Sequence, residues 1–331
     1  MKLYYSVSSA GNFGDDMNEW FWDGLLSGWR DAQPDVTLFG IGTILGRKIL
    51  DAHGRVLVCG SGAGYGTAHG IDRGKVDISW VRGPRTAALI GAERGLAITD
   101  PACMATTMPR FSGLPRGTGG TIFIPHRSTA RLDLDWDRIG RQAGLRVVLP
   151  GGEAHAVIAD IACAGLVVAE SMHAAIFADA FRVPWVPIRI SNEFNEFKWH
   201  DWAESVEVPM RIQDALVLPR KLWFLLRDAR ARLRPARAAG PDPGGAGGQP
   251  GSARAATPDP ADLGEKGRRR VKGLAKTLAP VLELAIGRDL RRASSSAPHL
   301  SRDGVVADRI ERIRDRLALV QRRIDADLGR A

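Results

Sequence analysis

The stretch "LVVAESMHAAIFADAFRVPWVPI" (residues 166–188) reads as strand, turn, helix and strand. "LVVA" is a short apolar, β-branched run that ends at the polar pair Glu170-Ser171. A small-residue helical segment follows, and "VPWVPI" returns to strand composition. Two strands joined by a helix of about ten residues form a crossover unit, and crossover units build parallel sheets with helices on their faces.

The same rhythm extends outward in both directions. Strand candidates before it are "KLYYSV", "VTLFGI", "RVLVCG", "DISWV", "LAIT", "TIFIPH" and "RVVLPG", and "WVPI" closes the series. Helical patterns are expected over 84–91, 133–143, 153–163 and 172–181. The Pro/Gly-rich run "MPRFSGLPRGTGG" (108–120) divides the strands into two groups. The expectation is an α/β chain of two Rossmann-like domains, 1–110 and 111–210, facing a cleft. At 331 residues the chain is long enough for two domains with appendages.

Beyond 210 the composition changes. Residues 211–235 read as a basic amphipathic helix and 236–265 as a Pro/Gly-rich disordered linker. Residues 266–331 read as a basic helical tail. Within it Val306, Ile310, Ile313, Leu317, Val320 and Ile324 form a heptad stripe suited to a short coiled coil and hence a homodimer.

The net charge of +9 is unevenly spread: residues 1–210 hold 20 Lys+Arg against 23 Asp+Glu, so the excess lies in the remainder. A body near neutrality argues against a nucleic-acid partner, whereas the basic tail suits an anionic membrane surface. The first twenty residues lack the apolar core of a signal peptide, and no run is long and apolar enough to span a bilayer. The three cysteines stand singly in apolar surroundings without metal-ligand spacing, which suits reduced thiols and a cytoplasmic setting.

Chemistry-bearing residues cluster where strands end. "SSAGNFGDDMNEWFW" (8–22) places Gly11, Asn12, Asp15 and Asp16 after the first strand. Free backbone N–H groups there favour an anion, while the paired carboxylates favour sugar hydroxyls or general-base work. Acidic residues also suit a helix's first turn, so capping is the plain alternative. "GSGAGYG" (60–66) lacks the Lys-Ser/Thr of a phosphate loop, and close backbone approach explains it. "WVRGPRTAALIG" (80–91) puts Arg82 at a strand end and Arg85 in the following helix, placed to clamp phosphate or carboxylate. The alternative for Arg85 is a surface ion pair. "TDPA" adds Asp100, "IFIPHRS" adds His126 and Arg127, and "AESMH" adds Glu170, Ser171 and His173 at the entry to a helix.

Together "GNFGDDMN", "VRGPRTA", "TDPA", "IPHRS", "ESMHAAIFADAFRVPWVPI" and "NEFNEFKWHDWAES" resemble the polysaccharide pyruvyl transferase family, most closely its succinoglycan-type exopolysaccharide branch. The resemblance covers about residues 1–209. It implies a GT-B-like pair of Rossmann domains, phosphoenolpyruvate as donor, and a cyclic pyruvate ketal bridging two hydroxyls of a hexose. His173 matches the family's histidine and Met172 its leucine, while Ser171 stands where many members carry arginine. Either Arg82 and Arg85 then suffice for the donor, Arg127 or Arg189 substitutes for the missing guanidinium, or donor binding is weak. His173 is the expected general acid and His126 the second choice. Asp16 or Asp15 would orient or deprotonate the sugar hydroxyls, with Asn12, Asp100 and Glu170 on the acceptor side. No metal or cofactor is needed for this chemistry. The expected partners are phosphoenolpyruvate and a glycan or lipid-linked oligosaccharide, at the inner face of the inner membrane. The competing readings are a GT-B nucleotide-sugar glycosyltransferase and a catalytically silent scaffold.

Overall fold

The structure, a computed structural model, describes residues 1–51, 53–65, 71–215 and 265–330. The expected amphipathic helix beyond 215 and the expected linker up to 264 lie outside the described residues. The strands are β1 (Lys2–Tyr4), β2 (Val36–Phe39), β3 (Arg55–Cys59), β4 (Val76–Trp80), β5 (Thr121–Ile124), β6 (Arg146–Val147), β7 (Leu166–Ala169), β8 (Trp185–Arg189) and β9 (Gln213–Asp214). They form a four-stranded sheet ordered β1-β2-β3-β4 and a five-stranded sheet ordered β6-β5-β7-β8-β9. Every strand pairing within them is parallel.

The helices before residue 210 are α1 (Phe13–Asp16), α2 (Asn18–Phe21), α3 (Arg47–Asp51), α4 (Pro84–Ile90), α5 (Arg127–Ala130), α6 (Trp136–Ala143), α7 (Ala154–Cys163), α8 (Met172–Ala180) and α9 (Glu196–Ser205). Their ends follow local chemistry. Pro84 opens α4 and left-handed Gly91 closes it. The Asp135 carboxylate caps α6 and the Glu153 carboxylate caps α7. "LAIT" is an exception to the strand reading. It contributes a single bridge from Ala97 to Val81 and part of a 3-10 turn, because Asp100 immediately starts another 3-10 segment at Pro101–Thr107.

Both sheets are covered on both faces, which explains their nearly continuous apolar strands. In β3, Leu57 and Cys59 face one cluster while Val56 and Val58 face another. In β5, Ile122 and Ile124 face the first of these clusters and Phe123 faces a third. The first cluster joins the inner faces of the two sheets through Phe13, Met17, Met104 and Phe177.

The C-terminal helices belong to this body, which corrects the expectation of an appended tail. Helix α10 (Glu265–Ser294) packs Leu282, Ile286 and Leu290 with Phe123, Trp136 and Ile139. Helix α11 (Val305–Asp327) returns to the first sheet and buries Val306, Ile313, Leu317, Val320 and Ile324 in the central cluster. The heptad stripe is thus covered by the chain itself rather than offered to a second copy. An apolar helical stripe has the same spacing whether it meets a sheet or another helix. Among the described residues, no helix is long and apolar enough to cross a membrane.

Candidate active site

The carboxyl ends of the two sheets meet around α1, α8 and α9. The backbone N–H of Phe13 donates to the Pro150 carbonyl at 2.9 Å, tying the opening loop to the turn after β6. Gly11, with φ +74°, lies against the backbone of Gly151. Gly14 faces the imidazole of His173 so closely that any side chain there would overlap the ring. Phe13 completes the contact edge-on, with ring centroids 6.5 Å apart. This passage requires glycine because two backbones and an imidazole occupy the space a side chain would take.

His173 lies in the first turn of α8 and is 8% exposed. Its Nε2 is buried and has no hydrogen-bond partner among the described residues. Burial first, and then the charges of Lys198 and Arg82, push the imidazole down to about 3. His126 sits at the N-cap of α5, where its Nδ1 lies 2.6 Å from Ser128 Oγ. It too is pushed down to about 3, by burial first and then by Lys198 and Arg127. Neither ring is protonated at neutral pH in the free site, contrary to the expectation of a standing imidazolium.

Asp15 is the group poised near neutrality. Burial pushes its carboxyl up to about 7, opposed by Lys198, Arg127 and a hydrogen bond from Asn12. The Asn12 side-chain amide donates to Asp15 Oδ2, and Gly42, with φ +133°, leaves room beside Oδ1. Asp16 turns back on the loop instead and accepts the Asn12 backbone N–H at 2.6 Å. The capping alternative therefore describes Asp16, while Asp15 remains directed toward the charges of the other half.

The structure thus gathers Asn12, Asp15, Asp16, His126, Arg127 and His173. The other expected residues have different surroundings. Arg82 is fully buried, with Nε donating to Asp201 at 3.0 Å and its other nitrogens to Thr43 Oγ1 and the Ala63 carbonyl, each at 2.8 Å. Arg85 is a surface ion pair with Glu204 at 2.6 Å. These placements correct the expectation of an arginine clamp: acidic residues of α9, more than a hundred positions away, engage both guanidiniums. Asp100 is fully buried and caps Ala102, and burial pushes its carboxyl up to about 6. Glu170 is also fully buried and accepts from the backbone of His126 and Ser191, so it braces the strand ends rather than meeting an acceptor. Met172 is 4% exposed and belongs to the core, while Ser171 is 7% exposed at the N-cap of α8. Arg189 is paired with Glu196 and Asp214.

Lys198 was not singled out from the sequence. It lies in the first turn of α9, in "NEFNEFKWHDWAES", and its charge reaches Asp15, His126 and His173 alike. A lysine near a helix start is unfavourable against the helix dipole, and that misplacement is the signal a closer reading would have used. Among the described residues, no cluster of three or more His, Cys, Asp or Glu side chains could hold a metal ion.

The comparisons follow the same residues. The family described as polysaccharide pyruvyl transferase matches residues 12–192, a span that holds the gathered side chains from Asn12 to His173. The chain is also 41% identical over 340 residues to the succinoglycan biosynthesis protein ExoV of Rhizobium meliloti (strain 1021). That match covers 97% of this chain and 99% of the relative. The likeness therefore runs past residue 209, where the motif resemblance ends, and into the C-terminal helices. No solved structure matches the chain.

Proposed function

Since this chain belongs to the polysaccharide pyruvyl transferase family, we propose that it transfers pyruvate from phosphoenolpyruvate to two hydroxyls of a hexose in an exopolysaccharide repeat unit. The products are a cyclic ketal and inorganic phosphate. A proton is added to the donor's methylene carbon, and the first hydroxyl attacks the adjacent carbon while its own proton passes to a base. Phosphate leaves with the bonding electron pair, the second hydroxyl closes the ring, and its proton is taken up by the departing phosphate.

The observation that carries this reading is the family histidine, His173, whose Nδ1 side lies against Gly14 of the opening loop and whose buried Nε2 has no partner among the described residues. A buried polar atom without a partner is costly, and a ligand supplies the missing hydrogen bond. The donor's negative charge also opposes the burial that keeps the ring neutral, so His173 gains its acid proton as the donor arrives. Asp15 and Asn12 receive the sugar hydroxyls, and Arg127 meets the donor's carboxylate. The acceptor is a glycan or a lipid-linked oligosaccharide, handled in the cytoplasm at an anionic membrane face that suits the basic segments near 211–235 and 266–294.

The test is phosphate release from phosphoenolpyruvate in the presence of an oligosaccharide acceptor. Wild type releases phosphate only with acceptor present, and His173→Ala retains its melting temperature while losing at least about 99% of turnover. Turnover of a nucleotide sugar in place of phosphoenolpyruvate would favour a glycosyltransferase. Turnover of neither donor would favour a scaffold.

A further inference from the structure

The chain has a serine, Ser171, where many members of the family carry an arginine, and its remaining guanidiniums do not all compensate. Arg82, Arg85 and Arg189 are engaged by Asp201, Glu204, and Glu196 with Asp214. A phosphorylated donor therefore needs another cation.

Lys198 is 9% exposed, and among the described residues its ammonium makes no ion pair and no hydrogen bond. The ammonium stands over the Tyr65 ring, whose centroid lies 5.9 Å from Nζ. The counter-charge within reach of the ammonium is the Asp15 carboxylate of the opening loop, and the lysine's place in the first turn of α9 adds repulsion from the helix dipole. The chain nevertheless holds it there. The Asn195 side chain caps α9 by accepting the Lys198 backbone N–H at 3.3 Å and donates across to the Gly64 carbonyl at 2.6 Å. The glycine-rich turn after β3 is thereby fastened to α9, which brings Tyr65 against the ammonium. Close backbone approach, the plain reading of that turn, is part of how the cation is seated.

We propose that Lys198 is the phosphate anchor of the donor subsite, supplying the positive charge absent at Ser171. An ammonium is a point charge that suits a tetrahedral phosphate, whereas a planar carboxylate suits the guanidinium of Arg127. As the carbon–oxygen bond to phosphate breaks, the ammonium holds the charge that accumulates on the leaving group. The identity of the donor rests on the function proposed above, but the anion-anchoring role does not.

The experiment compares wild type, Lys198→Met and Lys198→Arg by thermal melting, alone and with inorganic phosphate or phosphoenolpyruvate. Without ligand, Lys198→Met melts close to wild type, because the substitution breaks no ion pair or hydrogen bond of the ammonium. Both anions raise the melting temperature of wild type, the rise is lost in Lys198→Met, and Lys198→Arg recovers part of it. In turnover, Lys198→Met raises the KM for phosphoenolpyruvate by about tenfold or more and leaves the acceptor KM within about twofold. Equal phosphate protection of wild type and Lys198→Met would overturn the proposal, as would protection of neither. A Lys198→Met variant that melts far below wild type would mark the lysine as structural and also overturn it. Protection of wild type by phosphate but not phosphoenolpyruvate, lost in Lys198→Met, would keep the anchor and reject the pyruvyl donor.

Discussion

At the scale of single residues the site is a problem in proton placement. Asp15 is raised to about 7, so it is half protonated at neutral pH, while His173 and His126 are lowered to about 3 and stay neutral. An arriving anion acts in one direction on all three: it disfavours the carboxylate and favours the imidazolium, so every pKa rises. Groups whose pKa rises on binding take up protons. Binding of phosphoenolpyruvate at pH 7 is therefore expected to draw in about half a proton or more. Calorimetry in buffers of differing ionisation enthalpy reads this number directly. Asp15→Asn should reduce the uptake and His173→Gln should reduce it further. Proton release on binding, or none at all, would contradict this arrangement of charges.

Among the elements, the join between β4, α4 and α9 shows what a strand-end arginine does here. Asp201 of α9 accepts from Arg82 Nε, from the Thr86 backbone N–H at 2.8 Å and from Thr86 Oγ1 at 2.6 Å. Removing one partner of a fully buried pair leaves the other charge stranded, at a cost of about 3–5 kcal/mol. Arg82→Met should therefore lower the urea midpoint sharply, and the milder Arg82→Lys should remain folded with the phosphoenolpyruvate KM within about twofold of wild type. A tenfold KM rise with little loss of stability would return Arg82 to the donor site. The strands were legible because β-branched runs ending in glycine or polar turns suit a sheet buried on both faces. The βαβ unit at 166–188 was legible because its turn and helix lie within one short segment. "LAIT" misled because composition does not show whether a neighbouring strand is available to pair. The roles of Arg82, Arg85 and Lys198 were illegible for a related reason. The carboxylates that engage the two arginines arrive from α9, and the lysine's charge reaches Asp15 and the two histidines only through the fold. The histidine and the opening loop were readable because their motifs place them at strand ends, whatever their charge state.

For the whole molecule, the decisive feature is where α11 packs. Helix α11 seals the central cluster from which both sheets draw their inner faces, with Ile313 and Ile324 fully buried. Its outer side reaches back to the first half, where Arg323 pairs with Asp77 and the Gln321 side-chain amide donates to the Ser27 carbonyl at 3.0 Å. If this stripe is core, trimming it must weaken the folded chain itself. Ile313→Ala should cost about 2–5 kcal/mol, the range for deleting a large aliphatic side chain from a packed interior. Leu319, on the same helix but 39% exposed, is the internal control, and Leu319→Ala should change stability by less than about 0.5 kcal/mol. Urea unfolding supplies both values, and sedimentation gives the mass of each folded variant. The folded mass should be the same for wild type, Ile313→Ala and Leu319→Ala. An Ile313→Ala protein as stable as wild type but halved in mass would mean that the stripe faces a second copy and that α11 has been placed on the wrong partner.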